Sequence, residues 1–182
     1  MRIAIKGRNE IKQLIKEKYI DFDKYNIISV NTFCFQNRRD VDEEEEMREL
    51  LKDNLDSCLF LKFDDITEDG LKRCKESSNP KMRCAEFRLF NDGDAKKILA
   101  FAQKTLNDKK NLYVHCTAGV SRSGAIGLFL NRYTNKILED NQEDFQYNEN
   151  LNFTRIIPNP HVSRILNNEI LFLYEKPELE KR

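Results

Sequence analysis

The chain has 182 residues, the size of one domain, and a globule of that size buries about 70% of the surface its unfolded chain exposes. Apolar residues make up 40% of it and charged residues 34%, a balance that excludes a disordered or membrane-embedded polypeptide. Its 31 basic and 31 acidic residues cancel, so no global field recruits nucleic acid or an anionic membrane, and any anion recognition must be local.

No apolar run approaches the ~20 residues a membrane span needs. The amino terminus, Met1-Arg2-Ile3-Ala4-Ile5 followed by Lys6-Gly7-Arg8, lacks the apolar stretch of a signal peptide. A cytoplasmic monomer is expected. Five cysteines, at 34, 58, 74, 84 and 116, make an odd count with no C-x-x-C pair, which argues against a disulfide framework and a zinc site. Cys34 and Cys58, among apolar neighbours, read as core cysteines.

In chain order, residues 1–5 read as a short strand and Ile11, Leu14 and Ile15 recur at helical spacing to about Tyr19. Asn26 to Val30 is a second strand rich in β-branched residues, and Glu43 to Leu51 a helix whose opening glutamates suit a helix amino end. Leu59 to Phe63 is a third strand ending in Asp64-Asp65. No periodicity returns until Asp94, so residues 66–93 read as a long loop or mobile insertion, with turn signals at Glu68-Asp69-Gly70 and Ser77-Ser78-Asn79-Pro80. Lys72, Arg73, Lys75, Lys81 and Arg83 make that stretch basic, suiting either a solvated loop or a flap that meets an anionic substrate.

Asp94 is placed to cap a helix carrying Ile98, Leu99, Ala102 and Leu106. Asn111 to Val114 is a strand running into His115, a helix follows from about Arg122 to Lys136, and Ile165, Leu166, Ile170, Leu171 and Leu173 mark a last helix. Strands alternating with helices predict an α/β fold, a mainly parallel central sheet flanked by helices, within a single domain spanning residues 1–182.

Chemistry concentrates in His115-Cys116-Thr117-Ala118-Gly119-Val120-Ser121-Arg122-Ser123-Gly124. Were this run helical, Cys116 and Arg122 would lie about 240° apart and ~9 Å along the axis, unable to share a site. A loop that leaves a strand's carboxyl end and enters a helix's amino end brings them together instead, and turns backbone N–H groups inward as an anion nest. Phosphate fits such a nest, so Thr117, Ala118, Gly119, Val120, Ser121 and Arg122 are the candidate phosphate-binding residues. The same positive field favours thiolate over thiol, taking a cysteine from about 8.5 into a range of roughly 3.5 to 7.5. Arg122 offers a planar fork for two phosphate oxygens, Gly119 and Gly124 permit unusual angles and close packing, and Ser123 can donate a hydrogen bond to the sulfur.

This run resembles the H-C-x-x-G-x-x-R-S signature of cysteine-based protein tyrosine phosphatases, closest to the dual-specificity branch. The resemblance implies a cofactor-free, metal-independent hydrolysis of phosphotyrosine in phosphoproteins, with phosphoserine and phosphothreonine as further candidate substrates, through a phosphocysteine at Cys116. It also implies a general acid on a mobile loop after an alternating strand. Leu61-x-Phe63-x-Asp65 fits that pattern, with Asp64 and Asp92 as competitors. His115 would organise the loop and tune the thiolate. Arg155-Ile156-Ile157-Pro158-Asn159-Pro160 resembles the family's R-x-x-x-P-N segment, which makes Asn159 a brace for the phosphate loop. Other readings remain open: action on RNA 5′ phosphates or phosphoinositides, a non-catalytic phosphate reader, and a redox or sulfur-transfer role. Nucleic acid is a less expected partner than phosphoprotein, and Cys34, Cys58, Cys74 and Cys84 are all formally available for a disulfide with Cys116.

Overall fold

The computed structural model describes residues 1–34, 43–83, 86–140 and 156–179; Cys84 and Arg155 lie outside them. Among these residues four strands form one parallel sheet in the order β1-β4-β2-β3: β1 (Ile3–Gly7), β2 (Tyr25–Asn31), β3 (Cys58–Lys62) and β4 (Asn111–Cys116). Parallel neighbours need crossovers, and helices supply them. These are α1 (Arg8–Lys16), α2 (Glu43–Leu50), α3 (Glu68–Lys75), α4 (Pro80–Arg83), α5 (Asp92–Asn107), α6 (Arg122–Asp140) and α7 (Pro160–Leu179). The expected α/β architecture is the one observed.

Side-chain alternation along the strands divides the core in two. Ile28 and Val30 of β2, with Leu112, Val114 and Cys116 of β4, enter the larger cluster with Ile98 of α5, Ile126 and Leu130 of α6 and Leu166 of α7. Ile27 and Tyr113 instead meet Ile11 of α1 and Met47 of α2. Burial on both faces explains why β2 carries adjacent apolar residues, Ile27 and Ile28, instead of a strict alternation. Among the described residues, no helix is long and apolar enough to cross a membrane.

Several boundaries differ from the sequence reading. Residues 66–93 hold α3 and α4 instead of one long loop, and Glu68-Asp69-Gly70 is not a turn but the first turn of α3, where the Thr67 hydroxyl accepts from Gly70 N–H. Apolar periodicity could not find α3 because none of its residues is buried. Asp94 is not the cap of α5: Asn91 is, and Asp94 closes the reciprocal capping box three residues in. α1 stops at Lys16, short of Tyr19, because Lys18 takes φ +57° and the N–H groups of Lys18 and Tyr19 return to Ile15 and Leu14 carbonyls. That is a Schellman stop with lysine in the position glycine usually fills. A 3₁₀ turn at Lys52–Ser57 leads into β3 without a sequence signal.

Candidate active site

Ligands of open α/β sheets gather beyond the carboxyl ends of the strands, where the order reverses. Here β4 lies between β1 and β2 with Gly7 in register with Cys116, so the segments leaving β1, β2 and β4 share one edge of the molecule. Residues 117–121 link β4 to α6, and Arg8 N–H donates to the Thr117 carbonyl, fastening this loop to the start of α1. Gly119 sits at φ +74°, and a Cβ there would lie 2.5 Å from Gly7 N and 2.6 Å from the Lys6 carbonyl carbon. Both the angle and the contact with rigid backbone require glycine. At Gly124 the crowding partner is the Ile156 side chain, 2.7 Å from the Cβ position.

The loop brings the expected residues together. Cys116 is 3% exposed, and its Sγ lies 3.1 Å from Ser123 Oγ. Burial alone would push this thiol up, but the Ser123 hydroxyl, the Ser123 N–H, the Arg122 charge and the Gly119 N–H together outweigh it and hold Cys116 below an ordinary thiol. Cys58 has no such donors and rises to about 12 through burial. The described cysteines, Cys34, Cys58, Cys74 and Cys116, are all free.

Arg122, 5% exposed at the first position of α6, donates from Nη1 to the Phe63 carbonyl at 2.8 Å and from Nη2 to Thr117 Oγ1 at 3.2 Å. Both terminal nitrogens also approach Thr32 Oγ1 at 3.4 Å. Nε is buried without a hydrogen-bond partner among the described residues.

Asp65 lies on the loop's far side. Its Oδ1 accepts from Ser121 Oγ at 2.7 Å and from Asn159 Nδ2 at 2.8 Å. Asn159 uses its other amide atom to cap α7, accepting from His161 and Val162 N–H, while its own N–H donates to the Ser121 carbonyl. One side chain therefore ties α7, Asp65 and the loop together. Asp64 is engaged differently, accepting N–H bonds from Phe33, Cys34 and Arg88. Those donors anchor residues 32–34 and 86–90 to the end of β3, which is structural work. Asp92 is exposed in the first turn of α5.

His115 points to the opposite face from Cys116, as alternation requires, and is fully buried. Burial first, then the nearby Arg8 charge, hold its pKa down to about 3; neither ring nitrogen has a hydrogen-bond partner among the described residues, although the Cys116 backbone favours the proton. A histidine folded at about 3 but unfolded at 6.5 binds its proton first in the unfolded chain, so stability is complete above 6.5 and falls as pH drops toward 3. At pH 5 the loss is about 2 kcal/mol. Urea unfolding of the parent and of His115→Gln at pH 7 and pH 5 checks this. The pH dependence is expected to be shallower by about that amount in the variant, and equal slopes would refute it.

Three residues at this edge escape sequence reading: Arg8, Thr32 and Glu43. Arg8 is 6% exposed, pairs through both terminal nitrogens with Glu43, one contact at 2.5 Å, and reaches Thr117 Oγ1 at 3.3 Å. Glu43 also accepts Thr32 N–H at 3.2 Å, and Arg8 holds its carboxyl below the usual range despite the opposing effect of burial. Glu43 therefore does more than favour a helix amino end. The available signal was slight: Arg8 follows a strand-ending glycine, as a strand-to-helix site would.

By sequence, the chain matches no family model and no curated protein. By structure it is similar to a crystal structure of PTPMT1, with 18% identity over 96% of this chain and 95% of that one and a TM-score of 0.49. A crystal structure of PTPMT1 in complex with PI(5)P gives 13% identity over 92% and 88% and a TM-score of 0.48. Likeness at this level assigns no activity.

Proposed function

We propose that this chain is a cysteine-dependent phosphatase that hydrolyses phosphotyrosine, and also phosphoserine or phosphothreonine where the pocket admits them. The observation that carries this reading is a loop across which a buried thiol held toward thiolate meets a buried arginine whose Nε–H has no partner among the described residues. An unpaired buried guanidinium nitrogen is costly, and a phosphate oxygen would satisfy it with a charge-assisted bond.

The Cys116 thiolate attacks phosphorus, the ester P–O bond breaks, and the leaving oxygen takes a proton from Asp65. Oδ1 of Asp65 is held by Ser121 and Asn159, so Oδ2 carries that proton. Water then attacks the phosphocysteine, Asp65 takes back a proton, and Cys116 leaves as thiolate stabilised by Ser123. His115 keeps the loop's approach rigid and transfers no proton.

A second substrate class has its own support. The exposed cations Lys72, Arg73, Lys75, Lys81 and Arg83 lie on α3 and α4, soon after Asp65. They suit a phosphoinositide headgroup or an RNA 5′ phosphate more than a neutral peptide. Incubation with a phosphotyrosine peptide in chelator, rapidly quenched, is expected to give free phosphate and a covalent phosphate on Cys116 that is absent in Cys116→Ser. Release from phosphoinositide or RNA but not from peptides would favour the second class. No release from any of them would leave a non-catalytic phosphate reader.

A further inference from the structure

Arg122 faces a conflict. To grip a transferring phosphate its fork must be held in one plane, yet a carboxylate placed directly on it would neutralise the charge the phosphate needs. Its partners in the structure are a carbonyl and two hydroxyls, all uncharged. The carboxylate stands one residue further away. Glu43 binds Arg8, Arg8 reaches Thr117 Oγ1, that same oxygen accepts from Arg122, Arg122 reaches Thr32 Oγ1, and Thr32 N–H returns to Glu43. Five residues thus close a ring, drawn from the α1 start, the end of β2, the α2 start and both ends of the loop.

We propose that Arg8, Thr32 and Glu43 are positioning residues for Arg122, using a remote ion pair to orient its guanidinium without spending its charge. The chemistry of each member fits. A hydroxyl has two acceptor lone pairs and one proton, so Thr117 can accept from both arginines and still donate. Thr32 joins through its backbone on one side and its side chain on the other. Arg8 and Glu43, a two-pronged pair, supply the stiffness.

This inference rests on the phosphatase reading, and the test separates the two. Thr32→Val removes one hydroxyl without unpairing a charge, Thr32→Ser restores it, and Arg8→Lys breaks the two-pronged pair while keeping the charge. With p-nitrophenyl phosphate, Thr32→Val and Arg8→Lys are each expected to lower kcat about 10-fold to 100-fold with little change in KM, the pattern of a lost transition-state interaction. Thr32→Ser is expected to stay near the parent. The double variant is expected to lose little more than the worse single one, because the ring is already open; independent effects would multiply. Thermal melting identifies any loss due to unfolding, and Thr32→Val, which disturbs no ion pair, keeps the test informative if Arg8→Lys does not fold. Unchanged kcat in folded Thr32→Val, multiplying losses, or a rise in KM alone would overturn the ring. A parent that neither hydrolyses this ester nor binds inorganic phosphate by calorimetry would overturn the phosphatase reading as well. A parent that binds inorganic phosphate without turnover would overturn the phosphatase reading and, with it, the catalytic role of the ring.

Discussion

Cys116→Ser is expected to abolish turnover, by at least about 10⁴-fold in kcat, while leaving phosphate binding intact or tighter. The two halves of that result have different causes. A serine hydroxyl stays protonated where the cysteine is held toward thiolate by Ser123, Arg122 and Gly119, so the nucleophile disappears. The N–H groups and the Arg122 fork remain, and they no longer share the loop with a negatively charged sulfur that repels phosphate. Steady-state kinetics on a phosphotyrosine peptide, with calorimetry of inorganic phosphate, measures both. Loss of turnover together with loss of binding and a lowered melting temperature would make Cys116 a structural residue.

Asp65→Asn is expected to cost about 10²-fold to 10³-fold in kcat on a phosphotyrosine peptide. The asparagine carbonyl can still accept from Ser121 and Asn159, which now hold Oδ1, so the seat survives and only the proton is lost. The loss should depend on the leaving group. A phenol that departs readily, such as p-nitrophenol, needs little protonation and should be hydrolysed almost as fast by the variant. An equal loss on both esters would mean that Asp65 orders the loop instead of donating to the leaving group, and no loss on either would pass the role to Asp92. Asp64 is a poorer heir, because its oxygens already serve the Phe33, Cys34 and Arg88 N–H groups.

Much of the fold was legible because its signals are local. β2 and β4 announce themselves by β-branched and apolar residues buried on both faces, and Cys116 to Ser123 by a strand-to-helix junction that fixes the loop's chirality and charge. Asp65 and Asn159 were legible as candidates, and their meeting at Ser121 joins residues 94 apart. α3 was illegible because it buries nothing, leaving no apolar period to read. Arg8 and Glu43 were illegible for another reason: their pairing depends on β4 inserting between β1 and β2, which brings the starts of α1 and α2 to one edge. No property of either residue alone encodes that insertion.

The strand order also sets how the two halves of the site breathe. Among the described residues, β4 is laddered on both sides, by β1 and by β2, whereas β3 has β2 alone for a neighbour. Amides in a doubly paired central strand exchange with solvent only through openings close to global unfolding, while an edge strand and the segment beyond it open more cheaply. The sulfur is thus mounted at the end of a doubly paired strand and the carboxylate just beyond a singly paired one. An opening of residues 63–65 must part Asp65 from Ser121 and Asn159 and the Phe63 carbonyl from Arg122, while the ladders on both sides of β4 can stay closed.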